Sequence, residues 1–361
     1  MKKLVFTIFS TLVLTISVAA QGVDKPKLTA TPPTPEQAVM IREGIAFQNA
    51  RQFDAAIAKY ELILQANPDC TEAIYQLALA HYSKPDTAKA DTIARKGAQY
   101  KSDQLPLFLT LIAHNLDEAR KPSDAMKLYK EAIKLLKDKS ERRLDYAEAN
   151  YNLAFAQVRQ KQYDEAKATL KVSLTANSGH ASSNYQLMEI YYGTLYKMPA
   201  LLAATRLLGV ERDTPRSKRA AEIFLDILKP AKKDGQTGNI NIFLNMDAPK
   251  DEGDFGMYEL FLGTITTVRG DDDKGKSDNE MFADGVSSIF AIVTEDKDLP
   301  KSFVGKTYSP YLAAMKDAGH VQTFAYVVLQ LGGNADATKW VEANSGKVNA
   351  FFSWAKNYQR Q

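Results

Sequence analysis

The chain has 361 residues, 45% apolar and 25% charged, an ordinary globular composition long enough to bury sizeable cores in two or three domains. Its formal charge of +3 is too small to leave an electrostatic footprint for nucleic acid, so no nucleic-acid partner is expected. A single cysteine, Cys70, excludes an intramolecular disulfide and any thiolate zinc site, and a buried, inert thiol is expected over one that pairs with another chain.

Lys2 and Lys3 precede an apolar run from Leu4 to Val18, and small residues follow at Ala19 and Ala20. The pattern reads as a signal peptide over residues 1–20, because the run is too short for a comfortable membrane span. Cleavage before Gln21 would remove two lysines and leave a charge of about +1. No cysteine follows the cut, so the product is expected to be an exported bacterial protein, periplasmic or secreted, without a lipid anchor. No comparable apolar stretch recurs downstream, so no membrane span is expected in the mature chain.

Residues 21–36 carry Pro26, Pro32, Pro33 and Pro35 among small and charged residues, which predicts a flexible, semi-extended tether. Helical periodicity begins at Gln37. Gly44, Phe47, Phe53, Ala56, Tyr60 and Pro68 outline two helices and a stop, with small Gly44 and Ala56 expected to face each other where the helices cross. A second pair keeps Leu77, Ala78, Tyr82 and Ala90, its second helix weakened by Pro85 and Gly97. A third keeps Ile112, Ala113, Ala125, Tyr129 and Ala132, with Pro106 suited to a first helical turn. A fourth has Asn152, Leu153, Ala154, Tyr163, Asp164, Glu165 and Ala166, and a fifth Leu187, Tyr191, Ala200 and Leu207.

The alanines Ala56, Ala90, Ala125, Ala166 and Ala200 are spaced 34, 35, 41 and 34 residues apart. The longer step falls on residues 134–143, KLLKDKSERR, which predicts about seven more residues, nearly two turns, on the third pair's second helix. Residues 200–210 are apolar nearly all round and need a cover. Thr214 and Pro215, followed by Ala220, Ile223, Phe224, Ile227 and Leu228, read as a capping helix.

A period near 34 on these residues resembles the tetratricopeptide repeat, over roughly residues 37–230. The resemblance implies an all-α, right-handed helical solenoid of about five helix pairs plus the cap, occupying residues 37–233. Residues 238–361 are expected to form a mostly helical C-terminal domain. Within it Ile240, Ile242, Leu244 and Met246 alternate like a short strand, with Thr264 to Arg269 or another chain as its partner. Helical spacing covers Met257–Leu262, Met281–Val293, Pro310–Lys316, Val321–Leu331, Thr338–Ala343 and Val348–Tyr358.

No catalytic or metal motif stands out. The four histidines, His81, His114, His180 and His320, form no His-x-x-x-His pair, and no metal or cofactor is expected. The acidic run Asp271, Asp272, Asp273, Asp278 and Glu280 misses EF-hand spacing and reads as a solvated loop.

In tetratricopeptide arrays the first helix of each pair lines the concave face. By that register Tyr75, Gln76, Leu79 and Tyr82, then Tyr151, Asn152, Phe155 and Arg159, then Tyr185, Gln186, Glu189 and Tyr192 should point into the groove. Tyrosine offers apolar area with a polar tip and amides pair with peptide backbone, so a peptide segment or partner protein suits this lining. The lysine, asparagine and arginine clamp by which some relatives bind C-terminal carboxylates is absent, with Ile41, Ile45, Gln76, Leu107 and Leu111 at those positions. The expectation is an exported, non-catalytic interaction module or scaffold, with homo-oligomerisation open. The alternative is an enzyme or small-ligand receptor with its site in the C-terminal lobe, where Asp254, Glu259 and His320 are the first residues to weigh.

Overall fold

The computed structural model describes residues 23–229, 252–253, 255–264, 274–297 and 299–358. The expected leader, the alternating residues Ile240 to Met246, most of Thr264 to Arg269, Asp254 and Asp271 to Asp273 lie outside these. Seventeen helices dominate the described residues and the only strands among them are two short ones, so the protein is an all-α repeat structure. The chain divides into two compact units, residues 1–128 and 129–361.

The first unit holds α1 (Pro35–Asn49), α2 (Phe53–Ala66), α3 (Thr71–Ser83), α4 (Thr87–Gly97) and α5 (Leu105–Glu118); α6 (Pro122–Leu136) spans the boundary. Thr34 starts α1 with a capping box. Its Oγ1 accepts from the Gln37 N–H at 3.3 Å, the Gln37 side chain accepts from the Thr34 N–H at 3.0 Å, and Pro35 takes the first helical position. The neighbour pressed onto Gly44 is the Tyr60 ring: a Cβ at residue 44 would lie 2.6 Å from Tyr60 Cζ and 2.8 Å from Oη. Tyr60 is fully buried and its hydroxyl donates to Gln48 Oε1. Cys70 is buried in the same core, and burial pushes its thiol pKa up.

The segment expected as a free tether is extended but fastened. Strand β1 (Leu28–Thr29) pairs in parallel with β2 (Tyr100–Lys101). The Thr31 N–H donates to Asp69 O at 3.0 Å, and Asn67 Nδ2 donates to Pro32 O at 3.2 Å. The reason lies in α4, which stops at Gly97, where the Phe108 ring occupies the place of a side chain, and so leaves an extended stretch of backbone to be paired.

The second unit holds α7 (Arg143–Arg159), α8 (Tyr163–Ala176), α9 (Ala181–Gly193), α10 (Lys197–Val210), α11 (Pro215–Ile227), α12 (Gly256–Thr264), α13 (Asp278–Glu295), α14 (Phe303–Asp317), α15 (Val321–Leu331), α16 (Ala335–Ala343) and α17 (Ser345–Asn357). The seven extra residues do not lengthen α6, which ends at Leu136. They form a turn and a 3₁₀ segment, Ser140–Arg142, and let α7 begin early, with Arg142 Nε donating to Asp145 Oδ2 at 2.7 Å. Leu136 is the last apolar anchor, and the charged residues after it have no face to bury.

A shared hinge joins successive helices. Arg51, Arg120, Lys161 and Leu195 adopt φ of 60°, 59°, 60° and 59°. The next residue donates to a carbonyl five positions back: Gln52 to Phe47 and Tyr196 to Tyr191, both at 2.8 Å, and Gln162 to Gln157 at 2.9 Å. This is the left-handed C-terminal cap of a helix. The hinges after α14 and α15 repeat it with Gly319 and Gly333, closed by His320 to Met315 and Asn334 to Leu329 at 3.0 Å. Pro310, read as a helix start, sits inside α14, which begins seven residues earlier because Ser302 Oγ caps it by accepting from the Gly305 N–H at 2.9 Å.

In α10 every residue from Met198 to Gly209 is buried. The expected helix α11 is present, with a Thr214 capping box and Pro215 at its first position, but it covers only part of α10. Helices α9, α12, α14 and α17 also pack on α10, and one hydrophobic core runs from Ala154 to Ala355. Helices α12 to α17, in the stretch expected as a separate domain, thus contribute to the same core as α7–α11.

Candidate interaction face

The first helices of the pairs stand in rows. In the first unit α1 contacts α3 and α3 contacts α5; in the second α7 contacts α9 and α9 contacts α11. Apart from Asn152, the side chains singled out by register are half-buried or exposed along these rows.

In the first unit Tyr75, Gln76, Leu79 and Tyr82 on α3 are all half-buried. Tyr75 meets Phe108 edge to face at 5.8 Å. Tyr82 packs on His114 at 5.9 Å and donates its hydroxyl to Glu118 Oε1 at 2.9 Å, and burial pushes its pKa up to about 12. Its phenol therefore stays a neutral donor at any physiological pH.

In the second unit Tyr151, Phe155 and Arg159 line α7, and Tyr185, Gln186, Glu189 and Tyr192 line α9. Phe155 is 42% exposed, and Tyr151 packs between it and His180, the rings tilted, at centroid distances of 6.2 and 5.4 Å. Arg159 is exposed at the end of its helix. Asn152, by contrast, is 7% exposed and faces the interior. On α9 Glu189 accepts from Arg219 Nε at 3.0 Å, Tyr192 donates to Asp226 Oδ2 at 2.7 Å, and Arg216 lies over the Tyr185 ring at 5.9 Å. The Tyr192 pKa is raised, first by that bond to Asp226 and then by burial.

Arg216, Arg219 and Asp226 belong to α11, which the sequence presents only as a cap. A signal was available: Tyr151, Tyr185 and Arg219 follow one another at the repeat spacing of 34 residues. Helix α11 therefore continues the row and brings cations to it.

One cluster has the outline of a catalytic triad. His180 Nε2 lies 2.9 Å from Glu148 Oε2, and its Nδ1 lies 2.8 Å from Ser183 Oγ. The hydroxyl is fully buried, 2.8 Å from Ser173 Oγ, so no substrate carbonyl can reach it. His180 instead caps α9, its Nδ1 accepting from the Ser183 N–H at 3.2 Å.

The two described residues of the alternative site have different surroundings. Glu259 on α12 is buried beside Lys197, and burial raises its pKa. His320 packs on Phe351 and Trp354 of α17 at 5.8 and 5.2 Å, and burial lowers its pKa. Among the described residues no helix is long and apolar enough to cross a membrane.

These rows of paired helices with a common hinge define a helical-hairpin repeat protein. Family models for the tetratricopeptide repeat match residues 41–98 and 118–188, and the chain is a tetratricopeptide-repeat protein over those hairpins. No curated protein matches the chain in sequence. Among solved structures it is similar to PilF of Pseudomonas aeruginosa, at 18% identity over 53% of this chain and 85% of that one, with a TM-score of 0.45. It is also similar to TTC0263, a TPR protein of Thermus thermophilus, at 20% identity over 52% and 99%, with a TM-score of 0.42. A third is YrrB, described as a TPR protein with an unusual peptide-binding site, at 16% identity over 51% and 90%, with a TM-score of 0.36. Repeats of this family serve as protein-interaction modules and are in general non-catalytic.

Proposed function

We propose that this chain is an exported interaction module that takes a peptide segment or a segment of a partner protein on the exposed faces of its row helices. The observation that carries the reading is the α7–α9 face, where exposed Phe155 packs beside half-buried Tyr151 on α7, and the neighbouring α9 carries half-buried Tyr185, Gln186, Glu189 and Tyr192. Aromatic rings there offer apolar area, and the amide and carboxylate pair with main-chain groups of a ligand. The face of Tyr75, Gln76, Leu79 and Tyr82 serves as a second contact. Export rests on Lys2, Lys3 and the apolar run before Ala19 and Ala20.

Selection of a displayed random-peptide library against the purified chain tests the face. Selected peptides should bind the parent and lose at least tenfold in affinity for Phe155→Ala, Tyr185→Ala, with the variant still cooperatively folded at the assay temperature. Equal binding by parent and variant refutes the assignment. Fractionation of the native host with intact-mass measurement tests export: a chain that keeps residues 1–20 in the cytoplasmic fraction ends that part of the proposal.

A further inference from the structure

The second unit contains an open cavity of about 560 Å³ that none of the interaction-face residues line. It gathers the ends of helices: Arg143 opens α7, Ala176 closes α8, Val210 closes α10 and Lys356 stands at the end of α17. Three of its lining residues are cations, Arg143, Arg206 and Lys356, and none is an aspartate or glutamate.

Arg206 is the unusual member. It is 3% exposed, in the middle of a helix otherwise packed in apolar surroundings. Its Nη1 donates to Ala355 O at 3.3 Å, and its guanidinium lies over the Tyr311 ring at 4.4 Å. Its buried Nε has no hydrogen-bond partner, and no carboxylate pairs with it among the described residues. Its Nη2 lies at the α8–α9 turn, where a Cβ on Gly179 would come within 2.7 Å, so a glycine there leaves room for the guanidinium. A buried cation without a counter-charge is costly, and a ring face compensates only partly.

Helix ends do not supply the missing charge. Three C-termini contribute about −0.5 each and the α7 N-terminus about +0.5, so three formal positive charges leave a surplus of about two. The volume falls within the range of small-ligand sites.

We propose that this cavity binds a small oxyanion, a phosphate or carboxylate group, with Arg206 as the buried anchor and Arg143 and Lys356 as its exposed partners. Planar guanidinium groups suit such anions because their donors match two oxygens at once.

The test is calorimetric titration and thermal shift on the full chain with inorganic phosphate and, separately, citrate, each against sodium chloride at matched ionic strength. At least one should bind saturably and raise the thermal midpoint, and the probe that binds distinguishes phosphate from carboxylate. Arg143→Gln, Lys356→Gln, at exposed positions, should weaken that binding tenfold or more without moving the unliganded midpoint. Arg206→Lys, which keeps the charge and loses the planar fork, should weaken it as well. Stabilisation no greater than that by chloride, or equal affinity in parent and both variants, overturns the proposal.

Discussion

Replacing Gly44 by Ala sets two effects of opposite sign against each other. Helix propensity favours alanine by about 1 kcal/mol, and the added methyl would gain about 0.8 kcal/mol if it could be buried without strain. The structure denies it that space, because the new Cβ falls 2.6 Å from Tyr60 Cζ and 2.8 Å from its hydroxyl oxygen, well inside ordinary contact. Tyr60 cannot withdraw freely, since it is fully buried and its hydroxyl is held by Gln48. Overpacking of this kind costs about 1–3 kcal/mol, and breaking the hydroxyl bond adds about 1 kcal/mol. The clash wins, for a net loss of up to about 2 kcal/mol when these terms are combined. Urea unfolding followed by circular dichroism, with hydrogen exchange on α1 and α2, measures it. Adding Tyr60→Leu should recover part of the loss, a coupling that a double-mutant cycle isolates. An alanine variant as stable as the parent, or more stable, would refute the reasoning.

Gly209→Ala should cost up to about 2 kcal/mol, overpacking of about 1–3 less about 1 of helix propensity, since its Cβ would meet the Tyr311 hydroxyl and lie 3.2 Å from Cζ; loss of protection in α10 and α14 by hydrogen exchange reads it. Leu195→Gly should be neutral or stabilising by up to about 1 kcal/mol, because φ of 59° costs a side chain more than glycine's entropy returns, and a lower thermal midpoint would contradict this. Burial depresses the His81 pKa below 6.5, so the unfolded chain binds a proton the folded one refuses: stability in the first unit should fall as pH drops from 7 towards 5. His81→Asn should flatten that dependence in the exchange of α3, and an unchanged slope would exclude His81 as its source. Cys70 should resist a thiol reagent in the native chain and react fully in denaturant, whereas rapid native labelling would place it at the surface.

The repeats were legible because one small residue recurs at the same place in each pair. All five ladder alanines, Ala56 to Ala200, are fully buried, which favours a small side chain at each position, and so the period survives in the sequence. The α14–α15 hairpin uses the same hinge but escaped notice, since Phe324 stands four residues after the hinge donor, where the repeats have alanine. Pro310 further disguised it by sitting inside a helix. In the predicted face, Tyr151 and Asn152 are neighbours by register, yet a rotation of one residue along a helix separates a half-buried ring from an interior amide. Arg206 gave no sequence signal because its meaning depends on Ala355, which is 149 residues away.

That same distance sets an order of events during synthesis. In the first unit each helix packs chiefly on near neighbours, so its hairpins can close as they leave the ribosome. Helix α10 must wait for α14 and then α17, and until more than a hundred further residues have been made its apolar surface stays open to solvent or to a chaperone. The second half of the chain therefore matures late and all together, and a stop codon placed at the last recognisable repeat would leave it without the partners that close its core.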